Sequence, residues 1–199
     1  MPVTYREPPP AATEAVQAAL DHFAGVPQAQ LHALAGTQPA ALAPTVPHPV
    51  YNVGLSDLVG GGAALPEGRP TGWRYLLRQD DAVVASAETA SGSGGEQFSH
   101  FNRGPFVAST AAALEQVDGL TQTQGRPYEV RLLHVPALHA VSLWLHDDGD
   151  PGNDLLIPLQ PAPPGVEAQR PYAANDLLAI LRDQAAAIPE MGPDDTRGG

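Results

Sequence analysis

Two short stretches hold the residue types that do chemistry in proteins. The first, HDDGDPGND, gathers four aspartates, an asparagine and a histidine into nine residues. Oxygen ligands at that density suit a hard cation, so His146, Asp147, Asp148, Asp150 and Asp154 are candidate ligands for weak calcium or magnesium binding. An EF-hand loop needs glycine at its sixth position and glutamate at its twelfth. Counted from Asp148 those places hold Asn153 and Leu159, so the stretch is no EF-hand. The same residue types build turns, each for its own backbone reason. An acidic turn joining two strands is therefore the first expectation and cation binding the second, with no dedicated cofactor. His139 lies seven residues before His146, an odd spacing that puts the two on opposite faces of a strand. His139 is expected to share a face with Val141, Leu143 and Leu145 as a partly buried, hydrogen-bonded group.

The second stretch is HFNRGPF. Pro105 suits the first position of a helix, where its missing N–H costs nothing. Free N–H groups of that first turn, with His100, Asn102 and Arg103 before it, would make an anion site. The alternative is a strand-to-helix turn shaped by Asn102 and Gly104, with Arg103 paired to an acidic neighbour.

Absences narrow the chemistry further. All ten basic residues are arginine and there is no cysteine. That removes P-loop phosphate binding, lysine Schiff bases, thiol nucleophiles, cysteine-ligated zinc and disulfides. The chain has neither a G-x-S-x-G elbow nor a His-Glu-x-x-His helix, and Gly60-Gly61-Gly62 lacks dinucleotide-loop spacing. A net charge of −12, with scattered arginines, argues against nucleic acid. The N-terminus has no basic start followed by an apolar block. No apolar stretch approaches the roughly eighteen residues of a membrane span. A cytoplasmic protein without membrane contact is expected.

The elements that must position these residues are read from periodicity and punctuation. Thr13 is the expected N-cap of a helix with Val16, Leu20 and Phe23 on one face, stopped by Gly25 and Pro27. A second helical piece, AQLHALAG, follows. Pro39, Pro44, Pro47 and Pro49 mark the next segment as an extended connector. VYNVGL, the hairpin WRYLLRQDDAVVASAE turning at Asp80-Asp81, and EQFSHF are expected strands. Pro105 then opens a helix with Val107, Ala111, Leu114 and Val117 inward and Gly119 as its C-cap. YEVRLLHV, ALHAVSLWLH and DLLIPL are three further strands. A last helix, capped by Asn175 or Asp176, turns Leu177, Leu178 and Leu181 inward. This order predicts an α+β fold: an antiparallel sheet with helices packed on one face, plus an N-terminal helical arm. The expected divisions are a helical arm and connector over 1–48, a single α+β domain over 49–187 and a disordered tail over 188–199.

GWRYLLRQDDAVVASAE, FSHFNRGPFVAST and LHDDGDPGNDLLIPL resemble stretches of actinobacterial proteins of unknown function. The resemblance spans about residues 50–187 and implies a single domain; it carries no activity. The chain alone thus suggests a non-enzymatic interaction protein that docks a protein partner through its amphipathic arm. The alternative is a small-ligand or divalent-metal-dependent enzyme whose 100–103 and 146–154 loops converge on one pocket.

Overall fold

A computed structural model describes residues 3–26, 32–60, 65–66, 68–124 and 127–188. The elements are α1 Pro10–Ala24, β1 Ala43–Asn52, α2 Leu55–Val59, β2 Gly72–Gln79, β3 Ala82–Gly92, β4 Gly95–Asn102 and α3 Pro105–Gln124, followed by β5 Glu129–Val135, β6 Ala140–His146, β7 Leu155–Pro158, β8 Tyr172–Ala173 and α4 Ala174–Ala186. The strands form one sheet in the order β4-β3-β2-β1-β5-β6-β7-β8. Every neighbouring pair is antiparallel except β1 and β5, which run parallel through Val50–Asn52 and Leu132–His134. The fold is α+β.

Strand alternation decides which helix covers which face. Tyr51, Leu133, Trp144 and Leu156 pack under Leu177, Leu178 and Leu181 of α4, with Leu58 of α2 beside them. Trp73, Tyr75, Leu77, Ala85 and Ala87 pack under Ala12, Val16 and Leu20 of α1. Pro49 pairs with Trp73 and shares its side with Tyr51, so α1, α2 and α4 lie on one face. The other face carries Val50, Leu132, Leu143 and Ile157, and these meet Ala113 and Val117 of α3. The expectation of a single covered face therefore describes three of the helices, and α3 takes the opposite side. The cause is in β5 to β7, where runs such as SLWL and LLI are apolar at both alternate positions and need cover twice.

The N-terminal third departs most from expectation. Residues 43–49 are not a connector: they open β1, a strand between β2 and β5, so a division at 48/49 falls inside it. Proline is tolerated there because β5 pairs only with residues 50–52, leaving the proline-bearing part of β1 paired on one side. A register shift between Thr45 and His48 accompanies Val46, whose φ is 47°. Nor does α1 stand apart, since its apolar stripe is already buried on β2 and β3. It begins at Pro10 rather than after Thr13, whose hydroxyl lies 3.0 Å from the Tyr75 hydroxyl.

Smaller shifts follow from capping. Gly119 lies inside α3, which runs to Gln124. Ala173, with no side-chain cap, is the N-cap of α4, and Asn175 and Asp176 lie within its first turn. His139 sits in a left-handed turn (φ 48°) just before β6 and not in the strand. Pro27, part of AQLHALAG, Gly61-Gly62 and nearly all of the expected tail lie outside the described residues.

Candidate functional site

The face under α3 is apolar across β5 to β7 but polar across β2 to β4. An antiparallel sheet ordinarily gives such a polar side to water. Here it is buried: His48 is 0%, Ser86 1% and Arg74 6% exposed. Register explains the grouping. Cα partners His48↔Arg74, Arg74↔Glu88 and Glu88↔His100 set one row across four strands, and Ser86↔Asn102 begins the next. His134 joins from β5, opposite Asn52 of β1. Above these residues lies a cavity of about 400 Å³, closed on α3's side by Phe106 and Val107 and on the far side by Val50 and Val141. That volume is in the ordinary range for a small-molecule site.

One oxygen organises the polar wall. Glu88 Oε1 accepts from Arg74 Nε at 2.8 Å and from Asn102 Nδ2 at 3.1 Å, and Arg74 Nη2 lies 2.6 Å away. Oε2 lies 4.0 Å from His100 Nε2 and accepts no hydrogen bond among the described residues. Burial pushes the Glu88 carboxyl up, but the charge and hydrogen bond of Arg74, helped by His100 and His134, outweigh it. The net is a carboxyl below its usual value, ionised and preorganised.

Three groups around this pair titrate low or lack partners. His48 donates Nδ1–H to the Val46 carbonyl at 2.8 Å, which leaves Nε2 buried without a partner among the described residues. Burial first, and the Arg74 charge second, lower its pKa to about 4, so the ring is neutral. His134 is also lowered, by burial first, with Glu88 pulling the other way. The Ser86 hydroxyl is buried with no hydrogen-bond partner among the described residues and lies on the cavity wall. A buried unpaired hydroxyl costs about 1–3 kcal/mol, which a ligand's donor or acceptor would recover. At the cavity rim Gly72 is obligatory, because a Cβ there would stand 2.0 Å from the Thr89 carbonyl oxygen.

Of the three expected anion ligands, His100 and Asn102 do face this cavity, where Asn102 Nδ2 donates to Glu88 Oε1 at 3.1 Å and to His100 Nε2 at 2.9 Å, so both side chains are engaged within the protein. Arg103 lines the rim, where its Nη1 donates to the Ala35 carbonyl before β1.

The acidic stretch is a turn held by its own carboxylates. Asp154, 1% exposed, accepts from Trp144 Nε1 at 2.7 Å and His146 Nδ1 at 3.0 Å through Oδ2, and from the Asp147 amide at 2.8 Å through Oδ1. Asp147 Oδ1 accepts the amides of Gly149 and Asp150, and Asp150 Oδ1 accepts that of Gly152. Asp148 is exposed and lies 3.2 Å from His146 Nε2. Among the described residues no group of three or more histidines and carboxylates is placed to hold a metal ion. His146 and Asp154 line a second cavity with Arg131 and Trp144, and these belong to the face opposite His100 and Glu88. The two loops therefore do not converge.

Arg74, Ser86, Glu88, His48 and His134 were not singled out by sequence. Their one signal is the run of polar residues at alternate strand positions, which a solvated sheet face would also produce. Comparison with protein-family models, with curated proteins and with solved structures finds no match to this chain. No helix among the described residues is long and apolar enough to cross a membrane.

Proposed function

We propose that the protein binds a small polar molecule in the cleft between β2–β4 and the N-terminal end of α3. The observation that carries this is the buried, unpartnered Ser86 hydroxyl on a cavity wall beside the fixed Arg74–Glu88 pair. Convergent polar groups in a partly apolar concavity are the usual form of such a site. The cleft supports binding: its serine–imidazole contact, Ser99 Oγ to His100 Nδ1 at 2.9 Å, is solvent-exposed, and we assign it no reaction.

A fragment screen read by amide NMR shifts on the full chain tests this. Binders should perturb residues 86–88, 100–102 and 134 together, and Ser86→Ala should weaken them without unfolding the chain. Binders that cluster elsewhere, or resist Ser86→Ala, would overturn the reading.

Docking of a protein partner through residues 1–48 now requires α1 to leave its own sheet, and the metal-dependent alternative requires two loops on opposite faces to meet. Both stand behind the cleft.

A further inference from the structure

We infer that the occupant of the cleft is an uncharged molecule bearing adjacent hydroxyl groups, a monosaccharide or cyclic polyol in chemical class. This rests on the small-molecule reading above and specifies what would be bound.

The charges in the cavity favour a neutral ligand over the other classes. Arg74 places both Nε and Nη2 against one oxygen of Glu88, so the two buried charges neutralise one another. An anion would approach the ionised Glu88 carboxylate, and the guanidinium not paired with it, Arg103, is held at the rim by the Ala35 carbonyl. A net charge of −12 adds to that repulsion. A cation would find one carboxylate on the wall, Glu88, already paired with a guanidinium. Stripping either ion of water without a counter-charge is costly.

The open hydrogen-bonding positions instead match hydroxyls, which donate and accept from one atom. Glu88 Oε2 accepts no hydrogen bond among the described residues; His100 Nε2, 4.0 Å away, is itself an acceptor for Asn102 Nδ2. Ser86 Oγ can give and take a hydrogen bond, and it has no partner among the described residues. It lies two residues along β3 from Glu88 on the same face, roughly 7 Å away in a strand. His134 shares the wall and, as a neutral imidazole, offers one donor and one acceptor. Neighbouring hydroxyls on a ring span such a set, while Phe106, Val107 and Val141 receive its C–H surface. The carboxylate is fixed in place before any ligand arrives, which lowers the cost of ordering on binding.

Calorimetry and ligand-observed NMR on the full chain would use glucose and myo-inositol as neutral probes, inorganic phosphate and acetate as anions, and ethylammonium as cation. A cyclic polyol should bind, and Ser86→Ala should weaken it at least tenfold while the melting temperature is held or raised. Glu88→Gln, checked by circular dichroism for folding, should weaken it as well. Phosphate, acetate or ethylammonium at the cleft with no polyol binding would overturn the ligand class and leave the cleft a binding site. Polyol binding unaffected by Ser86→Ala would overturn the assignment to this wall. If no probe of any charge, and no fragment from a broad screen, perturbs the cleft, the underlying reading falls too.

Discussion

Arg74 and Glu88 stand opposite one another on β2 and β3, with Nη2 2.6 Å from Oε1 and both side chains nearly buried. A buried pair contributes little against an apolar pair of similar shape, yet breaking it strands a charge. Arg74→Ala or Glu88→Ala should therefore each cost about 3–5 kcal/mol in urea denaturation. The double variant Arg74→Leu/Glu88→Leu should cost less than either single change. Additive losses would mean that the two charges are solvated independently.

Acid should weaken the fold well above the usual carboxylate range. His48 has a folded pKa of about 4 against an ordinary 6.5. As pH falls below 6.5 the unfolded chain takes the proton first, so stability drops until about pH 4 and then levels off. The gap corresponds to about 3 kcal/mol. His134 is lowered in the same direction and adds to the loss. Glu88 acts later: its depressed value gives stability that is complete above the ordinary 4.5 and is lost as pH falls through the folded value. Denaturant midpoints at several pH values should show this slope, and His48→Leu should reduce it between 6.5 and 4.

Deleting residues 1–48 should abolish the folded state and not merely a docking activity. The cut removes α1 and Ala43–His48 of β1, and it uncovers Trp73, Tyr75 and Leu77. Each large apolar side chain so exposed costs roughly 1.5–3 kcal/mol. Loss of near-ultraviolet circular dichroism in the truncated chain checks this.

Asp154 should matter through hydrogen bonds. Asp154→Ala leaves Trp144 Nε1 and the Asp147 amide without their buried acceptor, at about 1–3 kcal/mol for each donor. Millimolar calcium or magnesium should leave the melting temperature of the native chain unchanged. A rise of several degrees would return the acidic turn to the list of cation sites.

Gly72→Ala should be severe for a residue at the cavity rim. The added methyl would meet the backbone of Thr89, with the carbonyl oxygen at 2.0 Å, and neither strand can yield without parting from the other. Hydrogen exchange of the β2 and β3 amides should accelerate in this variant.

Much of the architecture was legible because alternation and proline placement are local signals. WRYLLRQ, YEVRLLHV and the helix opened by Pro105 appear in the structure near where periodicity puts them. The proline-rich segment misled because proline signals a missing N–H, while sequence alone does not tell how many sides of a strand are paired. The site was less legible for a sharper reason. A two-residue hairpin at Asp80-Asp81 would set Arg74 opposite Ala87. A register shift between Leu77 and Arg78 moves it opposite Glu88. One extra residue in a strand turns an unremarkable alternation into an ion pair. His100 and Asn102 were visible as chemistry, but their partner Glu88 enters only through pairing of β3 with β4.

The parallel seam between β1 and β5 joins the two halves of the sheet through residues 50–52 and 132–134, extended by the Val53 amide on the His134 carbonyl. Antiparallel ladders on either side connect strands closer in sequence, whereas the seam pairs Val50 with Leu132 and so closes a loop of roughly two-fifths of the chain. Local ladders form early and long closures late, so the halves can assemble before they meet. The cleft straddles that join, with Val50 and Asn52 on one bank and His134 and Val141 on the other. Its occupant would act as a staple across the last contact to form, and amides along the seam should slow their exchange most when it binds.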